Sequence, residues 1–234
     1  MKKIISLCDV GICYRKKRGI FGEPFWALKK VSFDLFQGET LGVIGRNGAG
    51  KSTLMRIMSG IVKPDCGHFT NYGYRVSLLS LQLGFISYLT GRENAILGGM
   101  LMGLRRKEIE SKIPAIHAFS ELGDFFDKPI NTYSSGMSAR LGFSVAFQVD
   151  PDVLLIDEVL GVGDEEFRAK STHVMQERIR NDNKTVVFIS HDARLIEKLC
   201  DRVVWIENGE SKMEGKPEQV VQEYHRYLHS NSQK

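Results

Sequence analysis

The sequence predicts an α/β fold with a mostly parallel core sheet, and three observations carry that prediction. Short apolar segments of strand length alternate with helix-like segments along most of the chain, which is typical of a parallel sheet covered by helices. A glycine-rich turn stands between a β-branched segment at 39–44 and a helical segment that begins near Lys51. Two strand-like segments within 3–36 follow each other without a helix. We therefore also expect an N-terminal antiparallel β subdomain.

The first two strands are predicted at 3–14 and 25–36, joined by an irregular loop that opens with the basic run 15–18. Four clustered cations can contact an anionic membrane surface. A solvated loop is the commoner reason for such a charge run, and both interpretations stay open. The overall formal charge of +4 is too small to indicate nucleic acid by itself.

The glycine-rich turn matches the phosphate-loop pattern G-x-x-x-x-G-K-[ST], flanked by the strand and the helix that the mechanism needs. Its glycines let successive backbone N–H groups turn towards one anion, and the helix N-terminus adds its positive dipole end. Lys51 adds a full charge, and Ser52 offers a hydroxyl to Mg²⁺. The pattern predicts nucleotide binding in a P-loop NTPase core. The predicted nucleotide contacts are Gly45, Arg46, Asn47, Gly48, Ala49, Gly50, Lys51, Ser52 and Thr53.

The middle of the chain changes from strand to helix character. Further strands are predicted within 68–80, and a helical insert follows over about 90–147. Pro114 is expected to separate two of the helices, because proline has no backbone N–H and clashes with the preceding turn. The predicted helices of the insert are 93–104, 107–113, 115–122 and 137–147.

A second apolar strand, at 152–156, ends in the two carboxylates Asp157 and Glu158. The carboxyl end of a parallel strand lies at the edge of the sheet where ligands bind, beside the phosphate loop. We expect Asp157 to hold the Mg²⁺ hydration shell and Glu158 to polarise the attacking water. The C-terminal part continues the alternation of helices and strands. Its predicted elements are 165–180, 185–189, 193–199, 202–206 and 217–228, with a turn at Asn208-Gly209.

The segment Tyr133-Ser134-Ser135-Gly136-Met137 precedes a predicted helix, shortly before the acidic strand. At that position it resembles the signature motif of the ATP-binding-cassette (ABC) superfamily, whose consensus is L-S-G-G-Q. This copy departs from the consensus at Tyr133, Ser135 and Met137. Ser134 and Gly136 remain, and the resemblance implies that they contact a phosphate of the ATP held by a second subunit.

The resemblance extends along nearly the whole chain. Gln82 looks like the Q-loop glutamine, which assists Mg²⁺, although it stands one residue closer to the following segment than expected. Residues 159–164 are similar to the D-loop, and His191 looks like the switch histidine that contacts the γ-phosphate. Tyr14 matches the aromatic residue that stacks on adenine, and Phe25 and Trp26 compete for that role.

Three variant segments occur together, at 89–94, 133–137 and 157–164. Their combination resembles the ATPase subunits of bacterial polysaccharide exporters. The resemblance implies ATP and Mg²⁺ as ligands, a homodimer that works with two copies of a separate permease, and no nucleic acid. The cargo would be a lipid-linked polysaccharide: O-antigen first, with capsule or teichoic acid as alternatives. The subunit would lie on the cytoplasmic face of the bacterial inner membrane, bound through the permease.

The resemblance also implies one ABC nucleotide-binding domain over 1–229, with its helical subdomain at about 90–147. A frayed tail is expected over 230–234, without a C-terminal carbohydrate-binding domain. No apolar run approaches the roughly 20 residues that a membrane span needs. Two rival functions stay open. One is the ATPase of a small-molecule transporter, and the other is a non-transport ABC ATPase that acts on ribosomes or DNA.

Overall fold

The computed structural model describes residues 1–15, 24–79, 84–157, 164–181, 184–190 and 192–231. The strands in these residues are β1 (Lys3–Arg15), β2 (Pro24–Phe36), β3 (Thr40–Ile44), β4 (Cys66–Asn71), β5 (Val76–Leu79), β6 (Val153–Asp157), β7 (Thr185–Ile189), β8 (Arg202–Glu207) and β9 (Glu210–Gly215). The α-helices are α1 (Lys51–Met58), α2 (Gly91–Leu101), α3 (Arg106–Ser120), α4 (Ser135–Gln148), α5 (Glu165–Asn181), α6 (Ala193–Leu199) and α7 (Pro217–Asn231). Short 3-10 helices span Gly123–Asp127 and Ile130–Thr132.

The described strands form one mixed sheet in the order β4-β1-β2-β9-β8-β3-β7-β6-β5. Strand β3 pairs in parallel with both β7 and β8, and β6 pairs in parallel with β7. The N-terminal strands β1, β2 and β4 pair antiparallel, as do β8 and β9. These pairings confirm the predicted α/β class, with a parallel core and an antiparallel N-terminal part.

The central strands are buried because their sequences are apolar on both faces. All five positions of β3 and of β7 are buried, as expected for parallel strands that helices cover on either side. Helix α1 packs Leu54, Ile57 and Met58 into the same hydrophobic core. This packing fixes the carboxyl end of β3 and the start of α1, the two ends of the glycine-rich turn.

The chain divides into two compact units. The first, here called the sheet unit, comprises Met1–Leu78, Asp152–Glu158 and Arg178–Lys234. The second, called the helical unit, comprises Leu79–Pro151 and Val159–Glu177. None of the helices in the described residues combines the length and the apolar character that a membrane crossing requires.

The helical unit corrects the prediction that Pro114 separates two helices. Helix α3 runs unbroken from Arg106 to Ser120 with Pro114 inside it. The proline removes one helical hydrogen bond, but Ile109, Ile113 and Ile116 on either side of it are buried in the core of the unit. Burial of that apolar face outweighs the lost bond, so the helix continues.

Strand β9 was absent from the sequence-based predictions. The Asn208-Gly209 turn was recognised, and both residues have the positive φ that such hairpin turns require, 52° and 80°. The strand that follows reads Glu-Ser-Lys-Met-Glu-Gly and is mostly polar. It pairs antiparallel with β8 and meets β2 at Lys30, so its backbone pairing, and not an apolar pattern, forms the strand.

Candidate nucleotide-binding site

The glycine-rich turn joins the end of β3 to the start of α1 in a conformation that demands glycine. Gly45 and Gly50 have φ angles of 155° and 105°. A Cβ atom at Gly45 would lie 2.1 Å from the carbonyl oxygen of Ile206, and one at Gly50 would lie 2.4 Å from that of Ala27. The turn therefore packs directly against neighbouring backbone, and a side chain at Gly45 or Gly50 would push the turn away from that backbone.

Lys51, the first residue of α1, is only 7% exposed. Its ammonium group donates hydrogen bonds to the carbonyl oxygens of Gly45, at 2.7 Å, and Arg46, at 3.0 Å. Burial lowers the pKa of this ammonium group, and the carboxylates of Asp157 and Glu207 act against that shift. The lysine charge is thus held inside the curve of the loop, where an anion bound by the loop amides would meet it.

The loop forms one wall of a pocket of about 260 Å³ in the sheet unit. Seven of the nucleotide and Mg²⁺ contacts predicted from the sequence come together there, six from the loop and the start of α1 and the seventh, Asp157, from β6. Gly45, Arg46 and Ala49 belong to the loop but do not line the pocket. The lining residues are Phe25, Ala27, Asn47, Gly48, Gly50, Lys51, Ser52, Thr53 and Asp157.

The aromatic side of the pocket is formed by Phe25 at the start of β2. Tyr14 pairs with Phe25 across the β1–β2 ladder, and Cys13 pairs with Trp26. All three aromatic side chains are partly exposed, but only Phe25 is among the residues that line the pocket. The assignment of Tyr14 to adenine stacking stays a prediction, and the geometry favours its competitor Phe25.

The residues expected to hold Mg²⁺ fit that ion. Asp157 ends β6 opposite Ile189 of β7, and its side chain lines the same pocket as Ser52. Carboxylate and hydroxyl oxygens are the hard ligands that Mg²⁺ prefers, alongside water and phosphate. Within the described residues, no group of three or more His, Cys, Asp and Glu side chains is placed to hold a metal. Gln82, Glu158 and His191 lie outside the described residues, so their roles stay predictions.

The segment Ser134–Gly136 lies in the helical unit, at the start of α4. Ser134 is the N-cap, and its hydroxyl oxygen accepts a hydrogen bond from the Met137 N–H at 3.1 Å. A Cβ at Gly136 would meet only this serine oxygen, at 3.7 Å, so the space in front of the glycine is open. The helix N-terminus with its exposed serine can receive an anion, and the contact of Ser134 and Gly136 with the ATP of a second subunit stays a prediction.

One buried acidic residue near the site was missed by the sequence-based predictions. Glu207 ends β8 and is 3% exposed, and its charge acts on Lys51 and on Tyr224 of α7. Burial and then Glu207 raise the pKa of the Tyr224 phenol. The available signal was the same as for Asp157, namely an apolar strand that ends in a carboxylate.

Comparison with known proteins shows which family the chain resembles. A family model described as ABC transporter matches residues 28–161. The O-antigen export system ATP-binding protein RfbB of Klebsiella pneumoniae is 47% identical over 203 residues, which cover 87% of this chain and 82% of that protein. The teichoic acids export ATP-binding protein TagH of Lactococcus lactis is 48% identical over 206 residues, covering 88% of this chain but only 44% of TagH.

Solved structures show the same fold. A dimeric ATP-binding cassette in a post-hydrolysis state, bound to ADP and Pi, superposes with a TM-score of 0.75 over 92% of this chain and 99% of that chain, at 24% identity. The ATP binding subunit of an ABC transporter superposes with a TM-score of 0.74 over 95% of this chain and 93% of that chain, at 22% identity.

Proposed function

The chain belongs to the ABC transporter family, and from that membership we propose that it is the ATP-hydrolysing subunit of a polysaccharide exporter. The cargo would be a lipid-linked polysaccharide, O-antigen-like in the first instance, with capsule or teichoic acid as alternatives. The observation that carries the proposal is the identity of 47–48% to O-antigen and teichoic acid export proteins over 87–88% of the chain. The pocket that unites Lys51, Ser52 and Asp157 supports the nucleotide chemistry.

Several residues of the pocket have a part in binding ATP. The loop amides and Lys51 bind the phosphates, and an aromatic residue, Phe25 or Tyr14, stacks on the base. Ser52 and Asp157, with Gln82, would hold Mg²⁺, which when bound neutralises charge on the phosphates. Such positioning and charge stabilisation account for most of the catalysis of phosphoryl transfer.

The remaining roles follow the family resemblance. Glu158 orients the attacking water, and His191 contacts the γ-phosphate. Two copies of the chain associate head to tail, so that Ser134 and Gly136 of one copy contact the ATP held by the phosphate loop of the other. The dimer acts on two copies of a separate permease at the cytoplasmic face of the membrane. Closure with ATP and reopening after hydrolysis would drive the permease between states.

The function is tested by deleting the gene in a bacterium that carries it and measuring the polymer at the cell surface. We expect the deletion to abolish surface polysaccharide and to leave lipid-linked polymer inside the cell. Wild-type protein should restore export, Lys51→Ala should fail, and the control Lys63→Ala, in an exposed turn, should restore it. A deletion strain with normal surface polymer would contradict the proposal.

A further inference from the structure

Two backbone segments of the helical unit run side by side, here called the 87–91/128–131 ladder. The Asn131 N–H donates to the Ser87 carbonyl at 2.9 Å, and the Ile130 N–H donates to the Leu89 carbonyl at 2.9 Å. The Gly91 N–H donates to the Lys128 carbonyl at 3.2 Å. The ladder thus ties the segment before α2 to the segment that leads into Ser134.

Tyr133 extends this connection with its side chain. Its hydroxyl group donates a hydrogen bond of 2.6 Å to the carbonyl oxygen of Phe125. The hydroxyl lies over Gly91, the first residue of α2, so closely that a Cβ there would be 2.1 Å from the oxygen. Burial raises the pKa of the Tyr133 phenol to about 12, so the group stays a donor at neutral pH.

This arrangement gives a physical reason for the tyrosine where the family consensus has leucine. A leucine cannot donate to the Phe125 carbonyl, and it is too short to cover Gly91 in the same way. Tyr133 is bonded directly to Ser134, the N-cap of α4. Contacts that hold the tyrosine side chain in place therefore restrict the backbone next to Ser134.

We propose that Tyr133 is a positioning residue for ATP hydrolysis, which fixes Ser134–Gly136 to the start of α2, directly after the loop at 84–90, and to the 3-10 helix at 123–127 through its contacts with Gly91 and Phe125. The inference rests on the proposed function, in which Ser134 and Gly136 act on the ATP of a second copy. Tyr133 does not touch the nucleotide and acts through Ser134. A partner bound at the loop 84–90 and an ATP bound at Ser134 would then contact segments of the helical unit that Tyr133 links.

The test is Tyr133→Phe, which removes only the hydroxyl oxygen. We expect the isolated subunit to bind a fluorescent ATP analogue with unchanged affinity, because the phosphate loop belongs to the sheet unit. The rate of hydrolysis at saturating ATP should fall by roughly threefold to tenfold, the range for one lost hydrogen bond. ATP-dependent dimerisation, measured in a Glu158→Gln background, should require correspondingly more ATP. Tyr72→Phe, at an exposed tyrosine of the sheet unit, is the matched control.

A second pair of variants tests the contact with Gly91. Gly91→Ala should lower hydrolysis sharply, because its Cβ would collide with the Tyr133 hydroxyl. Adding Tyr133→Phe to the same chain removes that oxygen and should restore part of the activity. Restoration would be incomplete, since the Cβ would still lie 2.9 Å from the Phe126 carbonyl oxygen and 3.2 Å from the Tyr133 Cζ.

Two outcomes would overturn the inference. The first is a Tyr133→Phe protein that hydrolyses ATP and dimerises like the wild type. The second is a protein that loses melting temperature, ATP affinity and hydrolysis in parallel, which would indicate a role in folding alone. Failure of the wild-type protein to bind or hydrolyse ATP would instead contradict the proposed function, so the two failures are distinguishable.

Discussion

The side chain of Asn94 forms hydrogen bonds with both the backbone N–H and the backbone carbonyl of Ile86. Its Oδ1 atom accepts the Ile86 N–H at 2.8 Å, and its Nδ2 atom donates to the Ile86 carbonyl at 3.0 Å. The same Nδ2 lies 3.1 Å from the Leu89 carbonyl and 2.9 Å from the Thr90 carbonyl. Asn94 is 1% exposed, so the loop before α2 is closed around one buried amide.

Asn94→Ala should loosen this loop. The change leaves the half-buried backbone groups of Ile86 without their partner, at a cost of up to about 1–3 kcal/mol for each unsatisfied group. We expect a lower melting temperature and faster hydrogen exchange at 86–90. Asn71→Ala is the control, because Asn71 also bonds to the backbone of its own turn but is exposed. Equal effects of the two variants would contradict a special role for Asn94.

The aromatic contact with adenine can be assigned by three single substitutions. Aromatic contacts are worth about 0.5–1.5 kcal/mol beyond burial, which corresponds to roughly a threefold to tenfold change in ATP affinity. Because Phe25 lines the pocket, Phe25→Ala should weaken ATP binding more than Tyr14→Ala or Trp26→Ala. The ATP concentration that gives half the maximal rate should rise, while the rate at saturating ATP stays nearly constant. A larger shift for Tyr14→Ala would restore the assignment made from the sequence.

Glu158→Gln should keep ATP binding and nearly abolish hydrolysis. A positioned general base contributes about 10²–10⁴-fold to the rate, and glutamine has the same shape without the basic oxygen. The variant should accumulate as an ATP-bound dimer, which a sizing column separates from the monomer. Hydrolysis near the wild-type rate would show that another group activates the water.

We expect Tyr88, in the loop before α2, to contact the proposed permease, so that Tyr88→Asp separates the subunit from it. Tyr88 is 73% exposed, and the neighbouring Phe85 is half-buried and packs against the core of the helical unit. The variant should therefore melt like the wild type and bind ATP, but it should no longer co-purify with the permease or support surface display of polymer.

Tyr72→Asp, at another exposed tyrosine, is the control and should behave like the wild type. Early melting of Tyr88→Asp would point to a packing role. A stable variant that still exports polymer normally would show that this loop does not contact the permease.

The sequence predicted that Lys51 and Asp157 lie close together, because parallel strands end at a common edge of the sheet. Lys51 and Asp157 stand more than a hundred positions apart in the chain, yet both follow apolar strands and both line one pocket. The pairing of the parallel strands brings the two residues together. The alternation of strands and helices in the sequence was sufficient to predict this parallel sheet. Helix α3 shows where prediction from neighbouring residues fails. Its isoleucines are buried in the core of the helical unit, and this burial outweighs the helix-breaking effect of Pro114.

The choice between Tyr14 and Phe25 for the contact with adenine stays a prediction. Tyr14 and Phe25 are cross-strand partners, and the ladder that pairs them contains several register shifts, among them those beside Leu7 and Val10. Each shift changes which side chains face a given side of the sheet. Directly opposed residues of an antiparallel pair also lie on the same face of the sheet, so the order of residues along the strands does not decide which of the two lines the pocket.

The position of β3 in the sheet has a consequence for synthesis of the protein. Its two neighbours, β7 and β8, are drawn from residues 185–207, whereas β3 itself is complete at Ile44. At about 5–20 residues per second, both edges of this apolar strand stay without their partners for roughly 7 seconds or more on the ribosome. Helices α2, α3 and α4 pack among themselves and can form during that interval. We therefore expect the nucleotide pocket to assemble late, and the growing chain to depend on chaperones until β8 has emerged.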